Sequence, residues 1–188
     1  TLGNLFYNYP KSNIAQLCVI ANDPNWKLCD NYYVVEDSAV LRAFFHFKKA
    51  TGRRLRPKVK DSGTNETLQL KFRKKTLCKV VLREFIWSRR RWESKSLNSW
   101  LNEFNPQMLV FQLGDSCFML DIAYNIAKER NIPLVVYNTE GYYFFMKNWY
   151  FRAPLDKLFF PFYKRIYCSK VNRVMSLARH IVHLNDRL

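Results

Sequence analysis

The stretch from Gln107 to Glu140 constrains this chain more than any other. It reads QMLVFQLGD, then SCFMLDIAYNIAKER, then IPLVVYNTE after a single Asn131. The two outer segments are short apolar runs that break on polar residues, as buried strands do. The middle segment has helical periodicity. Phe118, Ile122 and Ile126 recur every four residues while Asp121, Asn125, Lys128 and Glu129 face away, and Ser116 stands where an N-cap belongs. A helix that carries the chain back across a sheet forces the flanking strands to be parallel. The chain is therefore expected to be α/β, with a doubly wound, mostly parallel sheet.

The rest of the sequence extends that pattern. TLGNLFYNYPK suits a short helix stopped by Pro10, and Ile14–Ala21 a strand. NYYVVED is a second strand candidate breaking at Asp37, with Ser38 as the expected cap of a helix over Ala39–Ala50 that Gly52 ends. Residues 53–66 are basic, contain Pro and Gly, and read as a mobile connection. From about Thr67 to Trp92 one long helix is predicted, burying Leu70, Leu77, Val80, Val81, Phe85 and Trp87. Ser96–Phe104 gives another helix, Leu155–His180 a long one interrupted near Pro161, and residues 181–186 a final short strand. A length of 188 residues fits one domain, 1–188.

Charge narrows the partners. The net charge is +16, and residues 48–91 alone hold sixteen Lys and Arg against three acids. Such a field attracts phosphate on nucleic acid, lipid or small molecules, or it is a solvated basic face. A nucleic-acid-binding module is the alternative reading. It lacks any RNP-like, KH-like or zinc-knuckle pattern, and most aromatics sit at helix or strand positions that suit a core, so nucleic acid is an unlikely partner. The five cysteines are odd in number, widely spaced and without a C-x-x-C pair, which indicates neither a disulfide framework nor a zinc site and fits a reducing cytoplasm. No apolar run approaches the ~18 to 20 residues that cross a bilayer.

In open parallel sheets, ligands bind beyond the carboxyl ends of the strands. Two polar segments are expected there: Gln112, Gly114, Asp115 and Ser116, and then Asn138, Thr139, Glu140, Gly141 and Tyr142. Gly114 and Gly141 permit tight turns, the helix N-terminus offers N–H groups to an anion or hydroxyl, and Asp115 and Glu140 suit binding sugar hydroxyls or acting as a base. Each of these residues taken alone also fits a plain cap or turn. The five glycines form neither G-x-G-x-x-G nor a phosphate loop, so a dinucleotide or ATP site in this domain is not indicated. His180 and His183 fall on opposite faces of a strand, His46 is expected to pack in an aromatic helix, and no metal site is predicted.

LGNLFYNYPKSNIAQLCV, CDNYYVVEDSAVLR, LREFIW, the block from Phe111 to Phe144 and ARHIVHLND together resemble the N-terminal domain of retaining glycosyltransferases of the GT-B type, family 4. The order and spacing of these blocks carry the resemblance, which spans most of the chain except residues 53–76. It implies a Rossmann-like domain forming the acceptor-side half of a two-domain enzyme that builds bacterial capsular or cell-surface polysaccharide. Its partners would be a sugar or lipid-linked sugar acceptor and a C-terminal donor domain. The nucleotide-sugar donor would be held by that second domain, with no cofactor bound by this one, and this half alone would transfer no sugar. The family's pair of glutamates eight residues apart is missing among the seven glutamates here. The resemblance also implies an earlier strand and a glycine-rich loop in which Gly3 and Asn4 would lie, so a trimmed first strand is expected. Many relatives carry a histidine where Thr139 and Glu140 stand, which makes Glu140 the substitute catalytic candidate, with Tyr142 beside it for the acceptor.

Residues 142–167 hold twelve of the thirty-one aromatics, and Lys147, Arg152, Lys157, Lys164 and Arg165 accompany them. This combination suits either a core between helix and sheet or a peripheral surface on anionic membrane, which would be the inner face of the cell membrane.

Overall fold

The computed structural model describes residues 2–20, 24–57, 76–138 and 154–183. It is α/β with mostly parallel strands. Where the sequence suggested one doubly wound sheet, the described strands form two sheets of three. They belong to two compact units, one built from Thr1–Lys71 and Arg89–Asn105, the other from Phe72–Ser88 and Pro106–Leu188.

The first unit begins with a single helical turn, α1 (Leu2–Leu5). Strands β1 (Ala15–Cys18) and β2 (Asn31–Val34) pair in parallel, and β3 (Arg53–Leu55) joins β2 antiparallel. Part of the expected mobile connection is thus an edge strand; residues 58–66 lie outside the described residues. Helix α2 spans Asp37–Phe45 with Glu36 at the N-cap, so Ser38 sits inside the helix and caps nothing. It stops at His46, well before Gly52, and Phe47 turns left-handed with φ 52°. His46 is exposed at that terminus, not packed in a core. Helix α4 (Lys95–Phe104) starts on Ser94, whose Oγ accepts from the Leu97 amide at 3.3 Å, and it brings Trp100 within 5.2 Å of the Tyr33 ring. Ser96 and the Tyr33 hydroxyl lie 2.7 Å apart.

The second unit holds α3 (Leu77–Trp87), β4 (Leu109–Gln112), α5 (Cys117–Glu129), β5 (Leu134–Asn138), α6 (Pro154–Leu177) and β6 (Ala178–His183). Strands β4, β5 and β6 lie side by side, all parallel, so the expected strand–helix–strand unit forms and α6 leads into a second parallel strand. Side chains alternate along a strand, which puts Phe111 and Leu113 on one face with Leu134 and Val136. They share a core with Leu120, Ala123 and Ala127 of α5 and with Tyr163, Tyr167, Val171 and Val174 of α6.

Two helices differ from expectation. Leu77 and Trp87 of α3 are buried while Val81, Leu82 and Phe85 are exposed, so the inward stripe runs Leu77, Val80, Glu84 and Trp87 and contains a carboxylate that a purely apolar stripe leaves out. Residues 67–75 of the predicted helix lie outside the described residues. Helix α6 runs unbroken through Pro161, which is exposed, so the unpaired carbonyl four residues earlier can turn to water. No described helix is long and apolar enough to cross a membrane.

Candidate functional site

The carboxyl edge of the β4–β5–β6 sheet gathers several polar residues of the second unit. Strand β4 ends at exposed Gln112, and the Leu113 amide then donates to the Tyr137 carbonyl at 3.0 Å, so the turn before α5 leaves the sheet beside Tyr137 and Asn138 of β5. Gly114, Asp115 and Ser116 make that turn. Gly114 does not have a positive φ, and a Cβ placed on it would meet nothing within 4 Å, so the turn does not require glycine there.

Other side chains hold the turn in place. The Tyr167 hydroxyl donates to the Gly114 carbonyl at 2.7 Å, and the Tyr163 hydroxyl to the Asp115 carbonyl at 3.1 Å. These tyrosines are four apart on α6, so one helix face presents both phenols to the same loop. Ser116 occupies the N-cap position of α5, yet its side chain makes no cap bond; its Oγ donates to Asp115 Oδ1 at 3.3 Å instead. The cap comes from Glu84, whose Oε1 accepts from the Cys117 amide at 2.8 Å.

Burial pushes the Glu84 carboxyl up to about 7, against the opposing pull of Lys170, the Cys117 and Phe118 amides and Arg83. Its second oxygen, Oε2, is buried and has no hydrogen-bond partner. The Cys117 thiol is pushed up to about 12, first by its own burial and then by the Glu84 charge, so it is no nucleophile at neutral pH. Lys170 and Arg173 of α6 both reach Asp121 of α5, at 2.6 and 2.8 Å, tying together the two helices that flank the turn.

Asn138 closes β5. It lies on the same strand face as Leu134 and Val136, is buried, and its Nδ2 is 3.3 Å from His183 Nδ1, directly across on β6. Asn138 Oδ1 is buried and unpartnered.

Gln112, Gly114, Asp115, Ser116 and Asn138 are thus brought to one sheet edge. Gly3 and Asn4 lie in α1, in the first unit, where the Gly3 carbonyl accepts from the Phe6 amide at 3.3 Å. Thr139, Glu140, Gly141 and Tyr142, like Lys147 and Arg152, lie outside the described residues. Lys157 and Arg165 are exposed on α6, and Lys164 is half-buried. Sequence reasoning missed Glu84, Tyr163, Tyr167 and His183. The paired tyrosines carried a signal in their spacing; Glu84 stood in a basic segment that read as a solvated face. Among the described residues no group of three or more His, Cys, Asp or Glu is placed to hold a metal ion. The chain matches no protein-family model, no curated protein and no solved structure.

Proposed function

We propose that this chain is the acceptor-binding half of a nucleotide-sugar-dependent glycosyltransferase of the retaining GT-B type, acting in the synthesis of bacterial capsular or cell-surface polysaccharide. One observation carries the reading: a parallel sheet whose carboxyl edge collects Gln112, Asp115, Ser116 and Asn138 on two adjacent strand ends. Ligands of open α/β sheets bind at that edge, and sugar hydroxyls need the mixture of acceptors and donors these side chains supply. In this reading Glu140, two residues beyond Asn138, is the catalytic candidate, and Thr139, Gly141 and Tyr142 complete the acceptor contact. The donor phosphates belong to a second domain.

The same reading gives α6 a second task, holding the acceptor edge near an anionic membrane surface. What supports it is an outward face of exposed Leu158, Phe159, Phe162 and Ile166, bordered by Lys157 and Arg165. A binding experiment tests the function. Neutral oligosaccharides titrated into the isotopically labelled chain are expected to move the amide resonances of Gln112, Asp115, Ser116 and Asn138, while calorimetry with UDP- and GDP-sugars gives no heat. A sub-micromolar nucleotide-sugar affinity in this chain would overturn the assignment to the acceptor half.

A further inference from the structure

The leading N–H groups of a helix have no partners within it and, with the helix dipole behind them, ordinarily attract an anion. At α5 those groups already have one, supplied from inside the protein. Glu84 is carried on the inward face of α3, where Trp87 stacks on Phe118 at 4.3 Å and the Arg83 guanidinium lies 4.7 Å from the centre of the same ring. From there Oε1 takes the Cys117 amide at 2.8 Å, and the Phe118 amide also faces the carboxyl group. Ser116, at the position that normally caps, turns its hydroxyl to Asp115. Tyr163 and Tyr167 hold the Asp115 and Gly114 carbonyls, so two consecutive peptide groups of the turn are fixed just ahead of the plug. Leaving Glu84 Oε2 buried and unpaired carries a desolvation cost that helix capping alone would not require when Ser116 was available for it.

We propose that Glu84 is a built-in carboxylate plug that sets the ligand class of this sheet edge, turning away phosphate and other anions and leaving neutral hydroxyl groups to Asp115 and Asn138. Glu84 is a specificity residue here and touches no reacting atom. The charged groups acting on it are Lys170 on α6 and Arg83 on its own helix; the neighbouring Cys117 thiol on α5 feels Glu84 together with Tyr163 and Lys170 of α6 and Asp121 of α5. Lys170 is already paired with Asp121 at 2.6 Å, so the plug keeps much of its negative character whenever it is ionised. The inference rests on the acceptor-site reading for the identity of the hydroxyl ligand, whereas the exclusion of anions stands on the Glu84 geometry.

The experiment uses the labelled full chain above neutral pH, with inorganic phosphate as the probe and the Cys117 and Phe118 amides as reporters. The expected result is that phosphate leaves these amides unmoved in the native chain and moves them saturably in Glu84→Ala, with phosphate affinity raised by about tenfold or more. Because Glu84→Ala opens a cavity and is at risk of misfolding, a pH titration of the same two amides is run on the native chain and on Glu84→Gln. A single ionisation should appear in the native chain and vanish in the variant. Phosphate shifts of equal size in native and alanine chains, a folded alanine variant that ignores phosphate, or amides blind to the ionisation would each overturn the plug. Failure of a neutral saccharide to bind, with the phosphate results as expected, would remove the glycosyltransferase reading and leave the plug standing.

Discussion

Glu84 Oε1 accepts the Cys117 amide at 2.8 Å across the contact between α3 and α5. The carboxyl group is held near 7, above the ordinary 4.5, mainly because burial disfavours its charge. The folded state therefore holds more protons than the unfolded state between those two values, and stability is present at low pH and lost as pH rises from 4.5 through about 7. Urea unfolding across that window is expected to show a decline of up to about 3 kcal/mol in the native chain that is absent in Glu84→Gln. Parallel slopes in the two proteins would contradict it.

The glycines separate cleanly. A Cβ on Gly52 would lie 2.5 Å from the Val34 carbonyl oxygen and run into the Tyr33 ring, whereas one on Gly114 meets open space. Gly52→Ala should lower unfolding stability by about 1 to 3 kcal/mol, as overpacking does, and Gly114→Ala should change it by less than about 0.5 kcal/mol. Thermal melts of the two variants decide the matter. Gly52 matters because strand and chain approach closely there, not because it ends a helix.

Thiol labelling reads the two packed regions independently. Cys78 is exposed on α3, while Cys29 and Cys117 are 2% and 1% exposed, and Cys29 donates to the Ile14 carbonyl at 3.1 Å. Cys18, pushed up to about 11 by burial first and by Cys29 next, carries little thiolate at neutral pH as well. A disulfide-exchange reagent should modify Cys78 first, with Cys29 and Cys117 reacting only at the rate of unfolding. Early loss of Cys117 would show that the α5 N-terminus opens.

On α6, Leu158, Phe159, Phe162 and Ile166 are 62%, 50%, 69% and 53% exposed, which distinguishes them from Phe160, Tyr163 and Tyr167 in the core. Co-sedimentation with vesicles should require anionic lipid, weaken with salt because exposed charges are screened beyond ~8 to 10 Å, and fall in the triple variant Lys157→Glu, Lys164→Glu, Arg165→Glu. Equal partitioning onto neutral and anionic vesicles would refute it.

Local periodicity made the strand–helix–strand unit legible: Phe118, Ile122 and Ile126 are buried as their four-residue spacing suggested, although the side of α5 that shares the core with the sheet carries Leu120, Ala123 and Ala127. The parallel pairing of β4 with β5 followed from the helix between them. The edge residues Gln112 to Ser116 and Asn138 were legible for the same reason: strand ends are where apolar runs stop. Hidden were contacts between residues far apart in sequence. Glu84 and Cys117 are thirty-three residues apart, and Tyr167 and Gly114 fifty-three. No local pattern says that a glutamate among arginines points inward, or that a serine in the capping position leaves that task to it. The split into two small sheets was likewise invisible, since strand order within a sheet is set by packing and not by any one segment.

That split makes the first unit discontinuous in the chain. Its sheet lies within the first seventy-one residues, but α4, which lays Trp100 against Tyr33 and Ser96 beside the Tyr33 hydroxyl, arrives only with residues 95–104. During synthesis the sheet therefore leaves the ribosome before the helix that covers Tyr33 exists, and it must wait through the making of α3, which belongs to the other unit. A nascent chain halted near residue 90 should present Tyr33 to solvent or to a chaperone, and one halted far enough past residue 105 for α4 to clear the exit tunnel should not.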